Sequence, residues 1–280
     1  MKQKDRQKKL AGAAGFDEYY KKLFGGRWDA LRAALASEPD YAEWSAGAGK
    51  SYFLDSASVR AAVSLPLDNA GSILDLCAAP GGKTLVLASN MSGKASLLAN
   101  ERSSERKARL MGTVRDCLPE EVRGRVAVIC KDGAKMCRAA GNEEAFDAIL
   151  LDAPCSSERH VLADGKYLSE WSPARIRALA VAQWALLSSA WRMLAPGGFL
   201  LYSTCALSPD ENDNMIERLL GKFDDASICV PDIALSFEEF TDSALPDYEK
   251  TMYGAQILPD RAGGAGPIYF CLLRKNPRDA

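Results

Sequence analysis

Short apolar runs alternate with helix-spaced segments along most of the chain from residue 73 onward. Residues 73–76 (ILDL), 95–99, 125–130 (RVAVIC), 146–151 (FDAILL) and 199–203 are four to six residues long. Turn-forming residues flank them, as expected of buried strands. A last run at 267–273 (PIYFCLL) predicts a final strand. Between the runs, apolar residues recur at helical spacing over 84–88, 103–118, 173–194 and 210–220. Ser103 or Ser104 is placed to cap the second of these, with Glu105 in its first turn. Trp184, Leu187 and Trp191 fall near one face of the third. Strands alternating with helices predict an α/β fold, a mostly parallel sheet covered on both faces.

The first 70 residues follow a different pattern. Residues 1–12 read as a basic tail. Residues 16–35 predict two short helices broken at Gly25-Gly26, with Tyr19, Tyr20, Phe24 and Trp28 as packing residues. Pro39 ends that unit, and the small, glycine-rich 41–50 segment reads as a loop. Residues 52–65 are expected to cap the sheet edge, with Asp55 or Ser56 starting a helix. The division expected is a helical substrate platform over 1–70 and a sheet domain over 71–280. Residues 156–172 read as a long polar loop, and 224–249 as an acidic, loop-rich stretch.

Composition narrows the classes. With 280 residues, 48% of them hydrophobic, the chain can fill one large core. No apolar stretch reaches the 18 residues a membrane span needs. The basic start carries no apolar signal region, so a cytoplasmic protein, and as the simplest state a monomer, is expected. Eight cysteines include no close CxxC pair, and His160 is the one histidine, so neither a metal site nor a histidine triad is expected. The net charge of -2 conceals a basic run from Arg102 to Arg125. Such a run suits a phosphate backbone, and a solvated helix face explains it about as well.

Candidate chemistry gathers at strand ends. The turn Cys77-Ala78-Ala79-Pro80-Gly81-Gly82-Lys83 joins strand to helix, the opening of a ligand crevice in α/β sheets. It matches neither GxxxxGK[ST] nor GxGxxG, which leaves an adenosine-bearing small molecule. Gly81 and Gly82 are expected to let backbone approach the ligand. Glu101 is placed to accept ribose hydroxyls, Asp132 to accept an adenine amine, and Asp152 to face the crevice centre. Together they fit S-adenosylmethionine better than a nicotinamide dinucleotide. Cys155 (PCSS) and Cys205 (STC) fall at the same edge of the sheet. Methylating carbon 5 of a cytosine demands a thiol, because that carbon becomes nucleophilic only after a thiolate adds at carbon 6. Asp152 at nitrogen 3 would stabilise the charge so created.

LDLCAAPGGKT at 74–84, DAPCS at 152–156 and YSTCALSPDEN at 202–212 resemble the Nop/Sun family of RNA (cytosine-5) methyltransferases. The likeness covers about 50–220 and returns at the C-terminus. YFLDSAS, DAPCSSERH and GPIYFCLLRK are similar to the mitochondrial small-subunit ribosomal RNA branch. The resemblance implies a Rossmann-like class I methyltransferase with a seven-stranded, mostly parallel sheet. It implies S-adenosylmethionine held by Cys77 to Lys83, Glu101, Arg106, Asp132 and Asp152. It makes Cys205 the nucleophile and Cys155 the residue that helps release the methylated RNA. Lys83 would assist at the target base or order the cofactor pocket. The expected partner is small-subunit ribosomal RNA or its particle, with transfer RNA as the other choice. Many relatives read PCSG where this chain reads PCSSERH, so Ser157, Glu158, Arg159 and His160 are expected near the entering nucleotide. At this length no appended RNA-binding domain is expected. The N-terminal region, the basic face or a partner would then recognise the RNA. Two other readings are a non-catalytic ribosome-assembly factor and a nitrogen methyltransferase. The first is opposed by both cysteines, and the second by DAPC where an Asn/Asp-Pro-Pro-aromatic turn would stand.

Overall fold

The computed structural model describes residues 10–45, 50–229 and 245–277. Most of the basic tail expected at 1–12, and residues 230–244 of the acidic stretch, lie outside them. Five parallel strands form the heart of the sheet: β3 (Ser72–Asp75), β4 (Ser96–Asn100), β5 (Val126–Ile129), β6 (Phe146–Asp152) and β7 (Leu194–Thr204). Their order is β5-β4-β3-β6-β7. The chain therefore leaves β3 in one direction and returns to its other side with β6. That reversal opens a crevice at the carboxyl ends of β3 and β6.

Antiparallel strands complete the sheet. β11 (Ile268–Lys275) pairs with β7 along Phe199 to Thr204. β10 (Ala255–Ile257) and β8 (Ala226–Cys229) both pair with β11, and β9 (Glu249–Lys250) pairs with β10. Among the described residues the sheet thus has nine strands, not the expected seven. The added strands are only two to four residues long, too short to carry a legible alternation.

Alternate residues of the central strands point to opposite faces. Ile73, Ala148 and Leu150 enter one core with α4 (Gly82–Asn90) and α5 (Ser104–Cys117). Leu74, Ile149 and Leu151 enter the other, with Leu187 and Trp191 of α9 (Pro173–Met193). Trp184 is only partly buried and lies under the Arg218 guanidinium, 4.1 Å from its ring centre. Ser103 caps α5, accepting the Arg106 N–H at 3.3 Å.

Two stretches expected to be loops are ordered elements. Residues 41–44 form β1 (Tyr41–Trp44), antiparallel to β2 (Tyr52–Asp55). Ala42 and Trp44 turn inward while Tyr41 and Glu43 turn out, a two-residue period hidden in a small-residue segment. Inside 156–172, α7 (Glu158–Ala163) and α8 (Gly165–Ser169) form, and Asp164 caps the second by accepting the Lys166 N–H at 2.8 Å. Asp55 caps α3 (Ser56–Val63) and also accepts the Gly266 N–H at 3.0 Å. Trp44, Leu54 and the α3 residues belong to the same core as the sheet.

The two N-terminal helices expected from the pattern are α1 (Gly12–Phe24) and α2 (Trp28–Ala36). They build a third core. Phe16, Tyr20, Trp28 and Leu31 meet Val161 of α7, Trp171, Ile176 and Leu207. Leu207 lies two residues beyond Cys205, so these helices brace the thiol-bearing turns from behind. Trp171 is 1% exposed and touches the rings of Phe16, Tyr19 and Tyr20. Trp171→Ala is expected to lower unfolding stability by about 3–5 kcal/mol. Urea denaturation checks this, and a loss under 1 kcal/mol would mean that the cluster does not brace α1.

Candidate active site

The β3–α4 turn runs from Cys77 to Gly82 along the crevice, with Lys83 in the first turn of α4. The Arg106 guanidinium donates to the Ala79 carbonyl at 2.6 Å and pairs with Glu101 at 3.2 Å. Arg106 therefore ties this turn to the end of β4. Gly81 has φ +118, in the region that favours glycine. A Cβ on Gly81 would meet Thr113 at 2.9 Å, and one on Gly82 would meet Tyr52 at 3.0 Å. The side of each glycine where a Cβ would stand is thus filled by protein, while Gly82 also lines the recess beside Lys83. They let the turn pack against α5 and β2. Cys77 is half-buried in the cavity wall, and desolvation and then Asp75 push its thiol far up, which marks it as inert.

The acids lie where the strand order places them. Glu101 is buried and accepts the Ser103 N–H at 2.8 Å. Asp132 caps a short 3₁₀ turn through the Ala134 N–H at 3.2 Å. Asn100 joins the two ends. Its amide donates to the Leu76 and Lys131 carbonyls at 3.0 and 3.1 Å, and its oxygen accepts the Lys131 N–H at 2.9 Å. Asp152 is held from both sides, by Lys83 Nζ at 2.8 Å and by the Ser203 hydroxyl at 2.8 Å. Lys83 also reaches Ser58 at 3.3 Å. Burial, the largest single influence, would lower the Lys83 ammonium, but the charge and hydrogen bond of Asp152, joined by Cys205 and Asp75, together turn the net shift upward.

Cys155 and Cys205 converge from the ends of β6 and β7, with their sulfurs 2.9 Å apart. The two titrate as a pair. The hydrogen bond from Cys155 holds Cys205 below the ordinary thiol range against burial, helped by the Ser157 hydroxyl at 3.3 Å. The same bond, with burial, holds Cys155 well above it. The pair thus favours ionisation at Cys205, with Cys155 as the donor. Ser157 has φ +58, costly for a residue with a Cβ. The resemblance has glycine here in many relatives, and the left-handed backbone is the reason glycine suits the position.

One cavity of about 880 Å³ joins these groups, lined by Glu101, Arg106, Asp132 and Asp152 and by Cys155 and Cys205. Its size lies within the usual range for small-molecule sites. A recess of about 210 Å³ continues from it between Lys83, Asp152, Asp75, Ser58 and the β2 residues Tyr52 and Phe53. Asp75, Ser58, Asn100 and Ser203 were not legible as site residues. Asp75 was the accessible one, an acid inside an apolar strand. It is 1% exposed, accepts the Thr84 hydroxyl at 2.7 Å, and is pushed up to about 7 by burial.

Two expectations about binding surfaces change. Arg109 and Arg115 pair with neighbouring acids. Arg123 and Arg125 donate to backbone carbonyls. The arginine run is therefore largely engaged within the fold. Of the PCSSERH residues, Ser157 lines the cavity, whereas Glu158 is buried and Arg159 donates to the carbonyls of Ser37, Gly264 and Gly266. His160 is exposed and rests on Tyr167. No helix among the described residues is long and apolar enough to cross a membrane.

Comparison with known proteins matches residues 62–270 to the family model "16S rRNA methyltransferase RsmB/F". Ribosomal RNA small subunit methyltransferase F of Serratia proteamaculans is 41% identical over 154 residues, 55% of this chain and 31% of that protein. The 5-cytosine rRNA methyltransferase NSUN4 of Xenopus tropicalis is 31% identical over 250 residues, 86% of this chain and 60% of that protein. The chain thus spans less than two thirds of these relatives. Among solved structures, NSun6 from Pyrococcus horikoshii superposes with a TM-score of 0.63 at 25% identity, over 81% of this chain and 53% of that one. A methyltransferase homolog from Pyrococcus horikoshii gives 0.71 at 21% identity, over 97% and 98%, and confirms the fold.

Proposed function

The chain belongs to the RsmB/F family of 16S rRNA methyltransferases, and from that premise we propose that it methylates carbon 5 of a cytosine in RNA, using S-adenosylmethionine. The observation that carries this reading is the pair of thiols 2.9 Å apart in the cavity that also holds the strand-end acids. Ribosomal RNA of the small subunit, free or in its particle, is the substrate we favour, in a cytoplasm-like compartment.

The cavity suits the cofactor by its donor set. Glu101 and Asp132 stand at one end for ribose and adenine, and Asp152 stands with the thiols at the other. S-adenosylmethionine, when bound, supplies the electrophilic methyl group. The chain does the rest. The Cys205 thiolate adds to carbon 6 and forms an S–C bond, and the displaced electron pair moves towards nitrogen 3. The Lys83–Asp152 pair offers a proton donor and an acceptor side by side for that end of the ring. Carbon 5 becomes enamine-like and takes the methyl. The Cys155 thiol passes its proton to the departing Cys205 sulfur and, as the thiolate so formed, takes the proton from carbon 5, which returns an electron pair to the ring and breaks the S–C bond. Cys155, already in contact with that sulfur, is the group we place at this release step.

The target base must leave its helix to reach sulfurs inside a cavity. The β1–β2 ribbon supplies a surface beside the opening. Register places Tyr41, Glu43 and Phe53 on its outer face, with Tyr41 and Phe53 58% and 61% exposed. Phe53 also lines the recess that holds Lys83 and Asp152. Unpaired bases stack on such rings at about 1–3 kcal/mol each. Phe53→Ala is therefore expected to raise the KM for RNA by about 5–100-fold with kcat nearly unchanged. Steady-state kinetics on a fixed RNA measures this, and a fall confined to kcat would remove Phe53 from the RNA surface.

The function is tested by transfer of labelled methyl groups from S-adenosylmethionine to small-subunit ribosomal RNA and its particles, followed by nucleoside analysis. Label in 5-methylcytosine is expected. Label in another nucleoside, or none in RNA or particle, overturns the reading.

A further inference from the structure

Behind the thiols lies a cluster that the proposed chemistry does not use. Glu158 and Glu211 are both fully buried. Glu158 follows Cys155 in sequence, yet its Oε2 accepts the N–H of Leu207 at 3.0 Å, in the turn after Cys205. Glu211 follows Cys205, yet its Oε1 accepts the N–H of Ser156 at 2.9 Å, in the turn after Cys155. Each turn thus lends a carboxyl group to the other. Between the two acids stands the Ser156 hydroxyl, in contact with Glu158 Oε1 and Glu211 Oε2.

Counting hydrogens fixes the charge state. A serine hydroxyl has one hydrogen. With both acids ionised, Ser156 would donate to one and face the other with a lone pair. Among the described residues no neighbour supplies the missing hydrogen. The Tyr20 hydroxyl gives its single proton to Glu158 Oε1. Gln183 donates at 2.9 Å to Glu211 Oε1, not to Oε2. Glu158 receives Tyr20, Ser156 and Leu207 as donors, which suits a carboxylate. Glu211 Oε2 has only Ser156, which suits a protonated oxygen donating to that hydroxyl. We propose that Glu158 and Glu211 share one proton through Ser156, and that this shared proton locks together the turns carrying Cys155 and Cys205. Both acids are then positioning residues for the thiol pair. Tyr20, on α1, makes the N-terminal helices part of the lock.

The titration of Glu211 agrees. Burial, and after it the Glu158 charge, push it up to about 7. The other titratable groups facing the pair are Tyr19 and Tyr20 of α1, Tyr202 of β7 and the two thiols. Burial raises all three tyrosines, so they keep their protons through the neutral range. For an acid whose folded value is raised, the favourable protonated state is lost as pH climbs through that value. The lock therefore holds below about 7 and loosens above it. Two adjacent buried charges then repel, with one hydroxyl between them.

A trivalent arsenical such as phenylarsine oxide binds two thiols at once only when they lie close together, so its capture of Cys155 and Cys205 reads their spacing. Mass spectrometry of digested full-length protein, without RNA or methyl donor, measures the bridged fraction. Thiol reactivity ordinarily rises with pH as thiolate forms. The lock gives the opposite sign, a fall of about tenfold in bridging rate between pH 6.5 and 8.5. Glu211→Gln carries a permanent donor and is expected to remove the fall. Should that variant fail to melt cooperatively, Glu158→Gln serves equally, since it removes the second charge. Bridging in the intact protein that rises or stays level, or a fall that persists in the glutamine variant, overturns the proposal. The role of the pair in methyl transfer rests on the proposed function, but the bridging result stands whether or not the chain methylates RNA.

Discussion

Cys205→Ala is expected to lower methyl transfer by at least about four orders of magnitude while leaving the fold and cofactor binding in place. The size of the effect follows from the chemistry of the acceptor. Carbon 5 of an intact cytosine is not a nucleophile, so removing the sulfur removes the path and not merely one stabilising contact. The structure also closes the obvious bypass. Cys155 lies 2.9 Å from Cys205, but burial and the one carboxylate charge that Glu158 and Glu211 hold between them still push its thiol up without its partner. A protonated thiol is the wrong species to add at carbon 6. Cofactor binding should survive because Glu101, Asp132 and the Ala79–Arg106 contact lie at the other end of the cavity. Calorimetry with S-adenosylmethionine and single-turnover transfer to RNA separate the two quantities. Turnover within about tenfold of the intact protein would show that Cys205 is not the nucleophile.

The parts of this site that were legible in the sequence are those held by local backbone. Cys77 to Lys83, Glu101, Asp132, Asp152 and Cys205 each follow a strand that a run of apolar residues announces. Parallel order alone then carries them to one edge of the sheet. The parts that were hidden depend on contacts between distant segments. Ser58 reaches Lys83 from α3, and Ser203 meets Asp152 across the β6–β7 pair. Neither serine differs in sequence from one that merely caps a helix or faces solvent. Glu158 was read as part of a loop near the entering nucleotide, because a glutamate in a polar stretch is ordinarily exposed. Its burial is fixed by Tyr20, 138 residues away in sequence. The ribbon residues 41–44 were missed for a related reason. Four residues are too few to establish a two-residue period, and Trp44 finds its place only against a core built by later elements.

Cys155→Ala is expected to convert the protein from a catalyst into one that holds its product, with turnover falling to about one event per molecule. The difference from Cys205→Ala lies in where the path is cut. In Cys155→Ala the nucleophile remains, although it loses the hydrogen bond that is the chief cause of its lowered value. Ser157 still reaches Cys205 at 3.3 Å, so some thiolate persists and the first addition proceeds, more slowly below neutral pH. After methyl transfer, elimination requires a proton to leave carbon 5 as the sulfur departs. In the intact protein the sulfur of Cys155 sits against that departing group, whereas Asp152 is tied to Lys83 and Ser203. Without Cys155 the S–C bond has no neighbour to complete its release, and the RNA stays attached. A denaturing gel of Cys155→Ala incubated with labelled RNA and S-adenosylmethionine should show a retarded protein band carrying label, absent from the double variant with Cys205→Ala. Free turnover at the intact rate, or an adduct that survives loss of Cys205, would assign release to another residue and return the contact between the two sulfurs to a purely electrostatic role.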